Sequence, residues 1–182
     1  MSDETPARDA DLRVHLLVLR CQTGDERAFA QLLETFGPRT LAHLRGLLGD
    51  DADDVQQEVW LTVYRSLRTL ANPRAFRTWL FRTTRHRAID FLRARRRDRE
   101  LVEEAATSID DSVQPEEPFT NLDDTDAAAA LATLPPAHRE VLVLRYQEDL
   151  SYSDIASVVG CSIGTVRSRL HHAKRQLKEK LT

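Results

Sequence analysis

The chain has 182 residues, of which 41% are hydrophobic, 30% are charged and only 6% are aromatic. This length suits one or two small domains, and six glycines and seven prolines are too few for a sandwich or barrel built on many tight turns. Charged or amide side chains interrupt every apolar stretch, and the acidic amino terminus lacks the apolar segment of a signal peptide. The two cysteines, Cys21 and Cys161, lie far apart and outside any CxxC pattern. We therefore expect a cytoplasmic protein without membrane insertion, metal site or cofactor.

The net charge of −3 conceals a strong separation of sign along the chain. Residues 60–100 carry 12 basic and 3 acidic side chains, and residues 161–182 carry 6 and 1. Between them, residues 101–126 hold 9 carboxylates and no basic side chain. Clustered basic residues favour polyanionic partners, so the sequence predicts two polyanion-binding surfaces separated by an acidic segment.

Apolar residues before the acidic segment recur at helical spacing, and no segment alternates with a period of two. Residues 29–36 and 41–48 predict two helices separated by Gly37-Pro38. Residues 53–70 predict a third helix, and a fourth is predicted from about residue 74 to residue 92, before an arginine run. With further helices after the acidic segment, the pattern predicts an all-α fold.

The acidic segment contains two prolines and lacks apolar periodicity, so we interpret residues 99–126 as an extended linker. It separates a tail or first helix (1–20) and a helical domain (21–98) from a second helical domain (127–182). A long surface loop inside one domain is the alternative. We also hypothesise that linker carboxylates fold back on the basic surfaces and suppress DNA binding. These carboxylates are Glu103, Glu104, Asp110, Asp111, Glu116 and Glu117.

Residues 152–167 have the pattern of a helix-turn-helix. Ala156 is the small residue needed where two helices cross, Gly160 suits a turn with positive φ, and Ser162 can cap the second helix. Four apolar residues are predicted to close a small core: Ile155, Val159, Ile163 and Val166. The outward residues of the second helix are candidates for contacts in the DNA major groove, where arginine binds guanine bidentately. A solvated basic helix is the alternative.

The fourth predicted helix combines many arginines with aromatic residues. Phe76, Trp79 and Leu80 are predicted to face the core, which leaves most of the arginines partly outward. Such a surface attracts the phosphate backbone of DNA, and guanidinium groups also stack on exposed bases. We predict that the aromatic side chains belong to the core and do not stack on bases.

Five carboxylates crowd the start of the third predicted helix: Asp50, Asp51, Asp53, Asp54 and Glu58. Three interpretations are open. Acidic residues favour a helix amino terminus, carboxylates can bind magnesium, and exposed polar side chains can form a protein-docking surface. No glycine-rich phosphate loop accompanies the cluster, which leaves the magnesium site with the least support.

Five motifs, in this order, resemble those of bacterial RNA polymerase sigma factors of the extracytoplasmic-function (ECF, group 4) type within the sigma-70 family. They are DADDVQQE at 51–58, FRTWL at 76–80, AIDFLR at 88–93, LPPAHREVL at 134–142 and GTVRSR at 164–169. The resemblance implies two helical domains, region 2 and region 4, joined by a flexible linker. It implies a promoter-specificity subunit without catalytic residues, whose partners are core RNA polymerase and promoter DNA.

The resemblance also implies residue roles. The segment that docks on the β′ clamp helices of the polymerase is matched by Asp54, Gln57, Glu58 and Leu61. The −10 surface, including a loop that captures an extruded base, is matched by Asn72, Arg74, Arg77, Trp79, Arg82, Arg85, His86 and Arg93. The −35 recognition helix is matched by Ser162, Thr165, Arg167, Ser168, His171, His172 and Lys174. Region 4 is also expected to meet the β flap of the polymerase.

His86 and His172 depart from the residues that are frequent in the family, which leaves the promoter sequence open. Two other classes of protein stay as alternatives. A stand-alone helix-turn-helix regulator would not use the arginine-rich first domain, and a metal-dependent nucleic-acid enzyme would rely on Asp53, Asp54 and Glu58. The inducing signal and the existence of an anti-sigma partner are also open.

Overall fold

The computed structural model describes residues 5–105 and 130–181, and all regular structure in these two ranges is helical. This confirms the predicted all-α class. Residues 106–126 of the predicted linker, and with them most of its hypothesised fold-back, lie outside the described residues. No helix in the described ranges is both long and apolar enough to cross a membrane.

Helices α1 (Thr5–Gln22), α2 (Glu26–Leu48), α3 (Ala52–Ser66) and α4 (Phe76–Ala105) form the first bundle. Short 3-10 turns occur after α2 and on either side of the loop that precedes α4. Each helix buries one apolar face, and each fully buried large side chain stabilises the fold by about 1.5–3 kcal/mol. The first core includes Val18, Leu32, Phe36, Leu44, Val55, Val59, Val63, Phe76 and Leu80.

Helix α2 runs unbroken through Pro38, where we predicted a break. Proline lacks a backbone N–H, and its ring crowds the preceding turn of a helix. Here Gln56 Nε2 donates a hydrogen bond to the neighbouring Gly37 carbonyl at 2.7 Å. Phe36 and Leu44, on either side of the proline, are both fully buried. Burial of this continuous apolar face outweighs the local preference of Gly-Pro for a break.

Helix α4 is longer than predicted and continues through the arginine run to Ala105. Arginine and alanine have high helix propensity, and residues 93–105 include no glycine or proline. Arg95 also forms an ion pair with Asp51, at the 3-10 turn after α2. Helix α4 therefore includes residues 99–105, the first residues of the predicted linker.

Helices α5 (Pro136–Tyr146), α6 (Tyr152–Val159) and α7 (Ile163–Leu181) form the second bundle, and α6 and α7 form the predicted helix-turn-helix. Gly160 ends α6 with φ of +70°, in the left-handed region that the turn requires. Ile163 is 42% exposed at the start of α7, so its predicted core position is wrong. The second core instead includes Leu142, Leu144, Ile155, Val158, Val159, Val166 and Leu170.

The two bundles are in contact, with α6 along α4 and α5 against α2. Phe81 of α4 is fully buried and belongs to the core of the second bundle, although it is part of a helix of the first. Thr78, one turn earlier on α4, donates a hydrogen bond from Oγ1 to Asp154 Oδ1 on α6 at 2.9 Å. Helix α4 therefore forms part of both bundles.

Replacing Leu32 with alanine should destabilise the first bundle by about 2–5 kcal/mol, because the side chain is fully buried and its loss leaves a cavity. Leu33, next to it on α2, is 40% exposed and provides a matched control. Urea unfolding followed by circular dichroism measures both variants. Equal destabilisation by Leu32→Ala and Leu33→Ala would contradict the orientation of α2.

Candidate nucleic-acid and polymerase interfaces

The helix-turn-helix holds α7 with one face buried and the other exposed. Ser162 Oγ accepts a hydrogen bond from the Thr165 N–H at 3.1 Å, which caps the amino terminus of α7. Val166 and Leu170 face the second core. The opposite face exposes polar and basic side chains at helical spacing, namely Arg167, Ser168, His171 and Lys174.

The predicted −35 residues differ in their exposure and in their contacts within the chain. Ser162 and Thr165 also hydrogen bond each other through their hydroxyls at 2.9 Å, at the start of the helix. His172 is half-buried and stacks on His138, with ring centroids 6.1 Å apart. The ammonium of Lys174 lies 5.1 Å from the Tyr146 ring centroid, and hydrogen bonding to Tyr146 raises the pKa of Lys174.

Exposed residues among the predicted −10 set lie on α4 and on the turn before it. The side-chain oxygen of Asn72 accepts a hydrogen bond from the Arg74 N–H at 3.1 Å and so fixes the turn. Arg82, His86 and Arg93 are exposed, and their spacing of four and seven residues places them along one side of α4. Five of the eight predicted −10 residues therefore lie on an open surface.

Trp79, another predicted −10 residue, is half-buried and packs against the first core. Its ring centroid lies 6.2 Å from that of Phe76. This agrees with our interpretation of the aromatic side chains as core residues. Trp79 therefore packs α4 against the first core.

Arg77 and Arg85 point away from the open surface and towards other parts of the chain. Arg77 pairs with Asp11 of α1 at 3.2 Å, and its side chain is only 18% exposed. Arg85 donates a hydrogen bond from Nε to Glu140 Oε1 of α5 at 2.9 Å, and its side chain is 22% exposed. Of the predicted −10 arginines, Arg74, Arg82 and Arg93 are thus exposed. Arg77 and Arg85 instead pair with carboxylates of the same chain.

Glu140 lies in a buried polar cluster between the two bundles. Its Oε1 also lies 3.6 Å from Nε2 of His43 on α2. The His43 ring is buried and meets the Phe81 ring edge-on, with centroids 5.6 Å apart. Burial lowers the pKa of His43, and Arg85 acts in the same direction, while Glu140 opposes both. His43 is therefore neutral at neutral pH.

Glu148 forms a second buried contact between the bundles. Its carboxylate pairs with Arg39 of α2 at 2.7 Å and is 2% exposed, and Arg39 also donates to the Gln147 carbonyl at 2.7 Å. Burial raises the pKa of Glu148, although Arg39 and then Arg77 oppose the shift. Sequence reasoning missed Arg39, His43, Phe81, Glu140 and Glu148, because no spacing in the sequence indicates a contact between distant segments.

Helix α3 presents a separate acidic surface. The four residues predicted to dock on the polymerase, namely Asp54, Gln57, Glu58 and Leu61, are all exposed. Their spacing places them on one face of α3. Leu61 and Tyr64 are 54% and 51% exposed, so the surface also has apolar contact area. The described residues include no cluster of three or more His, Cys, Asp or Glu that could hold a metal ion.

The architecture defines an all-helical DNA-binding protein with a helix-turn-helix and a second basic helix. Residues 32–98 match the model for sigma-70 region 2, and residues 125–177 match that for sigma-70 region 4. The RNA polymerase sigma-H factor of Pseudomonas aeruginosa is 35% identical over 178 residues, covering 91% of this chain and 92% of the relative. The ECF RNA polymerase sigma-E factor of Haemophilus influenzae is 31% identical over 176 residues, covering 91% and 93%.

One similar solved structure is the sigma factor RpoE of Bartonella quintana in complex with the anti-sigma factor NepR. It has a TM-score of 0.58 and 28% identity, and the match covers 84% of this chain and 96% of that one. The chain belongs to the sigma-70 family and, within it, to the ECF sigma factors, which direct the initiation of transcription by RNA polymerase. This confirms the resemblance and explains the first bundle, which a stand-alone regulator left without a role.

Replacing His43 with glutamine should reduce the acid sensitivity of folding. The unfolded chain binds a proton on His43 near the ordinary pKa of 6.5, whereas burial lowers the pKa of the folded chain's ring, which binds its proton only at lower pH. Stability is therefore fully present above that pH and is lost as the pH falls below it. Between about pH 7.5 and about pH 5.5 the wild type should therefore lose more stability than a variant without a titratable side chain at position 43.

Urea unfolding at the two pH values should show this smaller loss in His43→Gln. The raised pKa of Glu148 affects the stability of all three proteins in the same way, so it does not contribute to the difference between them. His86→Gln, at an exposed histidine, is the control and should lose as much stability as the wild type. An equal loss in all three proteins would show that His43 is not kept neutral by burial.

Proposed function

We propose that this ECF sigma factor directs initiation through three surfaces, each with a separate partner. The exposed face of α7 reads the −35 element, the basic surface of α4 and its preceding turn holds the −10 strand, and the exposed face of α3 docks on core polymerase. The observation that carries the proposal is the presence of two exposed basic helical surfaces, one on each matched region, in a single chain.

The −35 element is read as duplex from the major groove. The amino-terminal half of a recognition helix meets base edges, while basic residues beside it bind phosphates. Arg167 and Ser168 lie in the first turns of α7 and are exposed, which suits base contact. His171 and Lys174 follow one and two turns later, where they suit the DNA backbone.

The −10 element is held after its strands separate. Extruding a base costs a few kcal/mol, which contacts in a pocket and with phosphates offset. The turn of Asn72 and Arg74, which is capped by the asparagine side chain, is the candidate pocket edge. Arg82, His86 and Arg93 extend the same basic surface along α4 and provide phosphate contacts.

Core polymerase is bound through the β′ clamp helices on α3 and through the β flap on region 4. The α3 surface mixes carboxylates with exposed Leu61, and interfaces of this kind combine apolar anchors with a polar rim. The protein has no catalytic residues in this proposal, because the polymerase performs the chemistry. It acts in the cytoplasm, where its two cysteines stay reduced.

An anti-sigma factor is a further proposed partner. The solved complex of RpoE with NepR supports it, since that sigma factor matches this chain over most of both lengths. Such a partner would bind the exposed surfaces of both regions.

Run-off transcription with core polymerase on genomic fragments, followed by mapping of the start sites, tests the proposal as a whole. Transcripts that share two spaced upstream elements are expected. Binding to core polymerase without any selection of start sites would overturn it.

Arg167→Ala should relax base discrimination at one position of the −35 element by about 1–3 kcal/mol, because a bidentate arginine contact is lost. Lys174→Ala serves as a contrast and should weaken binding to all sequences alike, lowering the salt dependence by about one counterion. Competition binding of the holoenzyme to single-base promoter variants separates the two effects. Uniform weakening by Arg167→Ala would remove its reading role.

The double variant Asp54→Ala and Leu61→Ala should weaken binding to core polymerase at least tenfold, which corresponds to about 1.4 kcal/mol. Asp53→Ala is the control, because Asp53 is an exposed neighbour that lies 3.5 Å from Arg45 and is not among the predicted docking residues. Native gel titration with core polymerase measures both. Equal affinity of the two variants would place the docking surface elsewhere.

A further inference from the structure

We propose that Gln22, the last residue of α1, is a positioning residue for recognition of the −10 element. Its side-chain amide holds the −10 loop, residues 67–75 between α3 and α4, in one conformation. This loop carries Asn72 and Arg74, and binding groups act best when the residues around them hold them in place. The inference rests on the proposed function, because it assumes that the −10 loop captures an extruded base.

Gln22 makes two hydrogen bonds to the backbone of the −10 loop. Its Nε2 donates to the carbonyl oxygen of Leu67 at 3.2 Å and to that of Leu70 at 2.8 Å. An amide NH2 group has two donors, so one side chain can satisfy both carbonyls. Leu70 lies two residues before Asn72 and has an extended backbone, with φ of −66° and ψ of 106°. Because the Leu70 carbonyl is held, the direction in which the chain continues to Asn72 is fixed.

The −10 loop has little regular structure of its own. It consists of two 3-10 turns, Leu67–Thr69 and Pro73–Ala75, with three residues between them. Turns of this type are short, and their hydrogen-bond geometry is poorer than that of an α-helix. The side chain of Asn72 caps the second turn. The first turn has no side-chain cap of this kind and is held instead by Gln22, which belongs to a different helix.

Gln22 extends from a well-packed part of the first bundle. Val18 and Cys21, in the last two turns of α1, are buried in the first core. The turn after Gln22 is held by backbone hydrogen bonds to α1, and Asp25 then caps α2 by accepting from two backbone N–H groups. A donor on such a support has lost most of its freedom before it binds a carbonyl. Its contacts therefore order the loop at a small cost in entropy.

Helix α1 also contacts the chain on the other side of the −10 loop. Asp11 precedes Gln22 by about three helical turns and so lies on the same face of α1. It pairs at 3.2 Å with Arg77, in the first turn of α4. Arg77 is a predicted −10 residue, but its side chain is only 18% exposed, which suits a role in holding the start of α4. One face of α1 thus contacts the chain both before and after the loop.

Two substitutions of Gln22 in the full chain remove the hydrogen-bond donor. In Gln22→Met the new side chain is also unbranched but cannot donate, and in Gln22→Glu it keeps its shape but directs only oxygen atoms at the two carbonyls. Gln31→Met and Gln31→Glu make the same changes at an exposed position of α2 and are the matched controls. Circular dichroism establishes that each variant is folded.

The measurement is base discrimination by the holoenzyme. The probe is a forked promoter fragment with a single-stranded −10 element, taken from a start site that run-off transcription has mapped. Each −10 base is replaced in turn, and discrimination is the ratio of the two dissociation constants. A partly folded variant binds all fragments more weakly by the same factor, so its ratio does not change. Asn72→Ala identifies the positions that the −10 loop reads.

At those positions we expect both Gln22 variants to lose about fivefold to tenfold in discrimination, as for a lost hydrogen bond that leaves its partner unsatisfied. The Gln31 variants should discriminate like the wild type, and −35 discrimination should be unchanged in all of them. Wild-type discrimination at those positions in a folded Gln22 variant would overturn the inference alone. If Asn72→Ala keeps wild-type discrimination at every −10 position, the proposed role of the loop fails, and the inference fails with it.

Discussion

Helix α4 packs against two cores and also presents an exposed basic face, and the rest of the structure depends on this constraint. One face packs Phe76 and Leu80 into the first core, a second inserts Phe81 into the core of region 4, and a third stays basic and exposed. An α-helix offers only about 3.6 positions per turn, so each residue is committed to one surface. The position of Arg85 follows from this, because its place on the helix directs it towards region 4.

Side chains of opposite charge from the two regions pair where the regions are in contact. Region 2 contributes Arg39 and Arg85, and region 4 contributes the buried carboxylates of Glu148 and Glu140 with which they pair. Ion pairs in such a setting contribute little net stability, since desolvation offsets most of the attraction.

The surfaces that we propose for binding polymerase and −35 DNA take no part in these ion pairs. Asp54, Gln57, Glu58 and Leu61 project from α3 away from the contact between the regions, and the exposed face of α7 is opposite its buried stripe. Both surfaces are therefore exposed while the two bundles are in contact.

Periodicity and motif spacing in the sequence determined the helical class, the helix-turn-helix and the family, because those properties depend on residues that are near each other along the chain. The same local signals located the exposed face of α3 and the capped start of α7. Local signals gave wrong helix ends at two places. Helix α2 continues through Pro38 because the core packs against both of its halves, and helix α4 extends to Ala105. Only the tertiary structure paired Arg85 with Glu140 and Arg39 with Glu148. Contacts between segments about 55 and 109 residues apart leave no periodic trace in the sequence, and they arise only when the chain has folded.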